Sequence, residues 1–462
     1  MLANSTSSHL CYNLIRMNTL KDKKVLVLGL ARSGMAAIRV LHRYQAVITL
    51  SERKKKEELK ERNELEEMGV EIISQEEENF DRDFDLVVKN PGVPPVSPIV
   101  RKLKDRGIPV ITEIELAVML MKPQHIAAIT GTNGKTTCTT LLYEILRAKY
   151  KEKALVGGNI GTPLCELAED HDLFHNEGSY ISLEISNHQL IDTISFHPEV
   201  SVIINLSPDH IETMGSLENY YYSKTLVYKN MNEDDLFLLN IDDPLIEEYM
   251  KKYPCPASIR TFSVEKDADA CIRNGSLYLN GKELMPVKEV KIVGKHNLQN
   301  ILVCALMADR FGVESTLIRE VVRNFTGVEH RIEFVREVNG VRYYNDSKAT
   351  NTDATITALK AFDRNVILLV GGYEKGLSME EVKKYLSPVK MIIGFGIAGK
   401  RIAGDLSEDA VIVSDLKEAL QLAHDHAEAG DVVLLSPSTS SYDQYSGYEE
   451  RGRHFKTLVN EL

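Results

Sequence analysis

Short apolar runs, each followed by a stretch of helical periodicity, recur along most of the chain. Lys24 to Gly29, Val47 to Leu50, Asp85 to Val88 and Val110-Ile111 read as strands, with helices through Tyr44 and from Glu113 to Met121. A charged stretch, Arg53 to Glu67, reads as a solvated helix face. Ile126 to Ile129, Ala154 to Val156, Tyr180 to Ile185, Val200 to Leu206 and Leu236 to Asn240 continue the series. Asn274-Gly275 and Asn280-Gly281 mark hairpin turns, and a helix is expected from about Gly294 to Phe311. Beyond it, Arg331 to Val338 and Val341 to Tyr344 flank a third hairpin at Asn339-Gly340. Strands at Val366 to Val370, Met391 to Ile393 and Val432 to Leu435 follow. Strands alternating with helices predict mostly parallel sheets covered by helices, that is, an α/β fold.

Length divides this pattern. At about 150 residues per domain, 462 residues make about three. The expected bounds are 21–122, 123–326 and 327–462, after a flexible leader at 1–20. Composition is that of an ordinary globular protein, and the net charge of -12 argues against a broad nucleic-acid or anionic-membrane surface. The six cysteines form no C-x-x-C pair, which speaks against a zinc site or a disulfide framework. No apolar run approaches the ~18 residues of a membrane span.

The chemistry concentrates at strand ends. Thr130-Gly131-Thr132-Asn133-Gly134-Lys135-Thr136-Thr137 lies between a strand and a helix, the layout of a phosphate-binding loop, although Ile129 replaces the first glycine of the general pattern. Such a loop makes the middle domain ATPase-like. Gly29-Leu30-Ala31-Arg32-Ser33-Gly34, with an acid about 20 residues on at Glu52, resembles a dinucleotide fingerprint and makes the first domain Rossmann-like. A plain β-α-β unit reads equally well. The third domain is expected to be a second Rossmann-like α/β unit. Glu184 at a strand end suits Mg²⁺ beside the Thr136 hydroxyl. His210 is either a second metal ligand or a structural histidine, and Lys224 taken alone reads as a surface lysine. In the third domain, Arg331, Asp346, Lys375 and the polar run Ser436 to Ser441 follow or border strands. An arginine there would neutralise charge during phosphoryl transfer.

Together these runs resemble the Mur ligases of peptidoglycan synthesis. The resemblance is carried by Thr130 to Thr136, Gly158-Asn159-Ile160-Gly161, Asp209-His210, His296-Asn297 with Asn300, His330-Arg331 and Asn345 to Asn351. It is completed by Ser436 to Tyr445 with Glu449-Glu450-Arg451-Gly452. The Asp346-to-Asn351 run and the serine-rich tail point to the D-glutamate-adding branch.

The resemblance implies ATP bound by Gly131, Thr132, Asn133, Gly134, Lys135, Thr136 and Thr137, with Asn297 and Asn300 toward adenine, Asp346 on ribose and Arg331 on the γ-phosphate. It implies two Mg²⁺ ions, with Thr136 and Glu184 on one and His210 on the other, and carboxylation of Lys224 to a metal-directed carbamate. Lys135, His210, Lys224 and Arg331 are the implied catalytic set. The substrates would be UDP-N-acetylmuramoyl-L-alanine and D-glutamate. The sugar nucleotide would lie on Ala31, Arg32, Ser33, Ser51, Glu52, Arg53, Asn90, Gly92, Asn159 and His210. D-glutamate would lie on Thr350, Lys375, Ser441 and Tyr448. Domain closure is expected to assemble the site, in a cytoplasmic monomer with no nucleic-acid partner. Two alternatives stay open here, a folylpolyglutamate synthase-like amide ligase and a non-catalytic nucleotide-binding protein. The chain departs from the family at Ile185-Ser186-Asn187-His188, where many relatives have Ser-Ser-Phe, and at Tyr448, where phenylalanine is common.

Overall fold

The computed structural model describes residues 20–76, 80–207 and 211–462. Three sheets carry the chain. The first has five parallel strands: β1 (Lys24–Leu28), β2 (Val47–Ser51), β3 (Glu71–Ile73), β4 (Leu86–Lys89) and β5 (Val110–Thr112). Their order, β3-β2-β1-β4-β5, is that of a Rossmann-like sheet, the class expected of the first domain. It places the topological switch between β1 and β4, where such sheets bind ligands. Helix α1 (Ala31–Arg43) leaves β1, α2 (Pro98–Asp105) precedes β5, and α3 (Glu113–Leu120) follows it. The expected helix over Arg53 to Glu67 is broken into a 3-10 turn at Lys56–Glu58 and a short helix at Arg62–Glu67. That stretch is almost all charged, and Leu59 and Leu65 are its buried apolar residues, too narrow a stripe to hold one continuous helix against the core.

The second sheet has nine strands in the order β14-β13-β12-β11-β10-β9-β6-β8-β7. They are β6 (His125–Thr130), β7 (Ala154–Gly158), β8 (Tyr180–Glu184), β9 (Val200–Ile203), β10 (Leu236–Asn240), β11 (Ser258–Ser263), β12 (Ala270–Arg273), β13 (Ser276–Leu279) and β14 (Lys282–Pro286). From β7 to β12 the pairing is parallel, whereas β12 and β13 pair antiparallel across Asn274-Gly275. Asn274 and Gly275 both have positive φ, as a two-residue hairpin turn demands. Helix α4 (Lys135–Tyr150) leaves β6, α5 (Asn187–Leu190) follows β8, and α6 (Leu217–Thr225) precedes β10. The first two sheets and the helices between them share one continuous apolar core.

The third sheet runs β15-β16-β20-β17-β18-β19, from β15 (Glu333–Val338), β16 (Val341–Asn345), β17 (Val366–Gly371), β18 (Val389–Phe395), β19 (Val411–Ile412) and β20 (Val432–Leu435). Only the β15–β16 hairpin is antiparallel. The sequence expects a strand from Arg331, but β15 begins at Glu333, because His330 and Ile332 take positive φ and break the extended backbone. Helix α7 (Tyr448–Glu461) closes this part of the chain. The described residues up to Leu284, with Asn300–Ile318, form one compact unit, and Met285–Gln299 with Arg319–Leu462 form the other. No helix among the described residues is long and apolar enough to cross a membrane.

Candidate active site

The phosphate loop sits between β6 and α4, flanked by β8 and β9. Gly134 caps α4 with φ +85°, a conformation that favours glycine, and a Cβ there would meet Asn300 Oδ1 at 2.7 Å and displace that side chain. The helix begins at Lys135, within the run that the sequence places between strand and helix, and its N-terminal amides face the loop. Asn205, past the end of β9, clamps the loop. Its Oδ1 accepts from Asn133 N at 2.9 Å, its Nδ2 donates to Asn133 O at 3.2 Å, and its carbonyl takes Thr132 N at 3.0 Å. Lys135 Nζ donates to Gly131 O at 2.8 Å and to Thr132 O at 2.9 Å.

Three groups distant in sequence meet beside this loop. Thr136 Oγ1 donates to Glu184 Oε2 at 3.0 Å, and Asn159 Nδ2 donates to Glu184 Oε1 at 2.8 Å. Adjacent β6, β8 and β7 deliver them, because Glu184 ends β8, Thr136 follows β6 and Asn159 follows β7. A hydroxyl and a carboxylate oxygen side by side are hard donors that suit Mg²⁺, which keeps most of its shell for water and phosphate. The donor set therefore fits such an ion. No cluster of three or more His, Cys, Asp or Glu gathers among the described residues.

Lys224 is not the surface lysine that its sequence context suggests. It lies in α6 with 1% of its surface exposed, its Nζ donating to Gly131 O at 3.0 Å and lying 4.6 Å from the centre of the Tyr220 ring. Tyr220 in turn donates to Thr132 Oγ1. His210, expected on a metal and on the sugar nucleotide, lies outside the described residues. Asn300 is buried against Gly134, its Oδ1 accepting from the Cys138 thiol at 3.2 Å, and Asn297 donates to Val293 O at 2.6 Å.

In the first sheet, the two loops expected to hold a sugar nucleotide meet at the switch point, since a Cβ on Gly29 would lie 3.3 Å from Asn90 Cβ. Ala31 stands where the fingerprint has its middle glycine and is held at φ +29°. Glu52 fastens this loop, accepting from Leu30 N at 2.8 Å and Arg53 N at 2.7 Å. Ser51 is buried with its hydroxyl unpartnered, and Asn90 Oδ1 accepts from Gly92 N at 2.9 Å. Arg32 turns toward the second sheet, bonded to both carboxylate oxygens of Glu166 and to Gly161 O at 2.6 Å. Ser33 is partly buried beside it.

In the third sheet, the carboxyl ends of neighbouring β16, β20 and β17 carry Asp346, Ser436 and Gly371. Arg331 is exposed between His330 at φ +65° and Ile332 at φ +43°. A β-branched residue there is strained, and such strain gathers at functional sites. The Arg331 guanidinium has no hydrogen-bond or ion-pair partner among the described residues. Asp346 is buried, accepting from Ile332 N at 3.1 Å and Ser436 Oγ at 2.8 Å, and burial pushes its carboxyl up to about 7. Lys375 Nζ donates to Thr350 O at 3.2 Å. The Lys375 loop is pinned by Glu374, which Arg401 grips through two nitrogens and holds at a pKa of about 2. Ser441 has a buried, unpartnered hydroxyl, and Tyr448 opens α7 beside the His330 ring.

One profile, described as the Mur ligase middle domain, matches residues 129–308. Another, the MurD-like N-terminal domain of Mur ligases, matches 23–112, and a third, the Mur ligase glutamate ligase domain, matches 330–439. UDP-N-acetylmuramoylalanine–D-glutamate ligase of Geobacillus sp. (strain WCH70) is 39% identical over 96% of this chain and 98% of its own. The enzyme of the same name from Bacillus subtilis (strain 168) is 38% identical over 96% of this chain and 98% of its own. The chain belongs to the Mur ligase family.

Solved Mur ligases share this fold. UDP-N-acetylmuramate-alanine ligase MurC from Thermotoga maritima aligns at TM-score 0.54 and 20% identity, covering 95% of this chain and 99% of its own. MurF ligase from the same organism, in complex with ADP, aligns at TM-score 0.54 and 17% identity over 96% of this chain and 97% of its own.

Sequence reasoning missed two organisers of this Mur ligase. Asn205 is one, and a polar residue ending an apolar strand was its signal. Arg451 is the other. It is fully buried and donates to Ser347 Oγ and O, Gly371 O, Thr439 O and Ser440 O, which ties together the three loops that carry Thr350, Lys375 and Ser441. It stands in the Glu449-to-Gly452 run, but no local pattern shows that a helical arginine points inward.

Proposed function

We propose that this Mur ligase joins the amine of D-glutamate to the carboxylate of UDP-N-acetylmuramoyl-L-alanine, driven by ATP, in the cytoplasm and as a monomer. The observation that carries the reading is the Thr136–Glu184–Asn159 cluster beside the phosphate loop, in a chain that matches D-glutamate ligases along nearly its whole length. A carboxylate resists attack by an amine, so it must first be activated. Its oxygen attacks the γ-phosphorus, giving an acyl phosphate and ADP. The neutral amine then adds to the acyl carbon, and the tetrahedral adduct expels phosphate to leave the amide.

The residues divide this work. The amides of Gly131 to Thr137 and the Lys135 ammonium hold the phosphates. Arg331, unpaired and exposed, takes charge developing on the transferring phosphoryl group. Thr136 and Glu184 are the candidates to hold one Mg²⁺, which neutralises phosphate charge when bound, and His210 is assigned to a second. Lys224 is the candidate for carboxylation by CO₂, releasing one proton as the amine becomes a carbamate. Its burial beside the Gly131 carbonyl and the Tyr220 ring sets this amine against the phosphate loop, where a carbamate would face the metal. Asn297, Asn300 and Asp346 are assigned to the nucleoside. Each Asp346 oxygen retains a second acceptor position beyond the bond it already makes. Ala31 to Ser33, Ser51 to Arg53, Asn90 and Gly92 are assigned to the UDP-sugar, with Asn159 and His210 at its muramoyl-alanine end. Thr350, Lys375, Ser441 and Tyr448 are assigned to D-glutamate. Ser441 supplies an unused hydroxyl and Lys375 a cation for a carboxylate.

The test is ADP release that requires both UDP-N-acetylmuramoyl-L-alanine and D-glutamate. Turnover with L-glutamate and a folate instead would overturn the reading. Loss of turnover in Lys224→Ala excludes a mere nucleotide sensor, and partial rescue of the parent enzyme by bicarbonate at low CO₂ supports the carbamate.

A further inference from the structure

The last residue of β4 is Lys89, where an inward-facing strand position calls for an apolar side chain. Its side chain is fully buried. Nζ lies 3.2 Å from Asp192 Oδ2 and donates to Val93 O at 3.1 Å. Asp192 comes from the second sheet's side, two residues past α5, and is buried as well, while its Oδ1 takes Lys104 Nζ from α2 at 2.6 Å. Burial pulls the Lys89 pKa down, and Asp192 opposes that pull. Removing two charges from water is expensive, and an apolar pair of similar size commonly serves the fold as well or better. Stability therefore does not explain why this pair is present.

Its position does. Residues Asn90 to Val93 form the loop at the switch point, closed on itself by Gly92 N to Asn90 Oδ1 and Val93 N to Asn90 O, both at 2.9 Å. Lys89 grips the far end of that loop through Val93 O. Asp192 lies in the segment from Glu184 to Phe196, which is itself held by Thr112 Oγ1 donating to Gln189 O and by Glu115 accepting from Ser195 N, Ser195 Oγ and Phe196 N. The Lys89–Asp192 pair thus joins the loop beside the first sheet to the segment that begins at the Glu184 carboxylate.

We propose that Lys89 is a positioning residue for the sugar nucleotide. With Asp192 it sets the Asn90–Val93 loop at a fixed distance from Glu184, so that the carboxylate to be activated arrives in register with the phosphate loop. This rests on the reading that the loop holds the UDP-sugar.

The experiment compares full-length Lys89→Met, Asp192→Asn and the double variant. Asp192→Asn strands the buried Lys89 ammonium and lowers Tm, Lys89→Met leaves Asp192 with Lys104 and lowers Tm less, and the double variant recovers much of the Asp192→Asn loss. In the double variant KM for UDP-N-acetylmuramoyl-L-alanine is expected to rise about tenfold, equivalent to about 1.4 kcal/mol, with KM for ATP and D-glutamate unchanged. Recovery of that KM together with Tm overturns the proposal, as does an equal rise for all three substrates. Lys89→Met alone, which removes the grip on Val93 O while Asp192 keeps Lys104, carries the same test if the double variant does not fold. Asn90→Ala is run in parallel. If it leaves the sugar-nucleotide KM unchanged, the loop reading falls and the proposal with it. If it raises KM while the Lys89 series does not, the proposal alone falls.

Discussion

The phosphate-loop region and the third-sheet cluster reach similar ends by different construction. In the first, three neighbouring parallel strands place Thr136, Glu184 and Asn159 within hydrogen-bond reach, and the groups bond directly to one another. In the second, Thr350, Lys375 and Ser441 sit on separate loops that are held through the buried guanidinium of Arg451. A site built on strand ends inherits the rigidity of the sheet. A site built on loops needs a central tie, and its precision depends on one residue that need not touch substrate. Two arginines mark the contrast, Arg451 buried with its partners supplied by the fold and Arg331 exposed on strained backbone with no side-chain partner among the described residues.

The contrast breaks most sharply at Lys135. Lys135→Ala is expected to lower turnover roughly 10³-fold, with an unchanged circular dichroism spectrum, read by ADP release. Arg331→Ala should lower kcat by roughly 10²-fold or more, yet leave stability within about 0.5 kcal/mol because the side chain is exposed. Urea unfolding beside steady-state rates checks both halves, and a large stability loss would show Arg331 to be structural. Arg451→Gln should do the reverse, costing roughly 3 kcal/mol through several buried carbonyls left unpaired, with KM for D-glutamate rising more than KM for ATP. An equal rise in both would mean that Arg451 organises more than the loops it touches.

The smallest effect concerns Glu113, buried in the first turn of α3 with Oε2 unpartnered and Oε1 accepting from Cys165 N. Burial raises its carboxyl from the ordinary 4.5 to about 7. The folded protein then binds more protons than the unfolded chain between those values, so this group makes stability fall as pH rises through that window. Glu113→Gln should therefore show a higher Tm than its parent at pH 8, with the gap closing toward pH 5. A constant gap across pH would show that the group does not titrate there.

The α/β class, the three-part division, the hairpins at Asn274-Gly275 and Asn339-Gly340 and the phosphate loop were legible in the sequence, because each rests on periodicity or on contiguous residues with special backbone needs. So were Glu184 and Asn159 as strand-end candidates. Strand order was not legible, and it is strand order that makes β7 and β8 neighbours and brings Asn159 to Glu184. Lys224 shows the same limit. Locally it is one of several polar residues in a helix that also carries three tyrosines, and only the packing of α6 on the phosphate loop buries it beneath Gly131. Lys89 and Arg451 are charged residues whose sequence context gives no sign of burial, and each is buried because its partners come from distant parts of the chain. Local propensity and motif spacing are properties of neighbours along the chain, so the sequence by itself determined the elements, the loop and the family. Burial and charge pairing are properties of neighbours in space, so the tertiary structure alone decided which polar residues became the ties that hold the site.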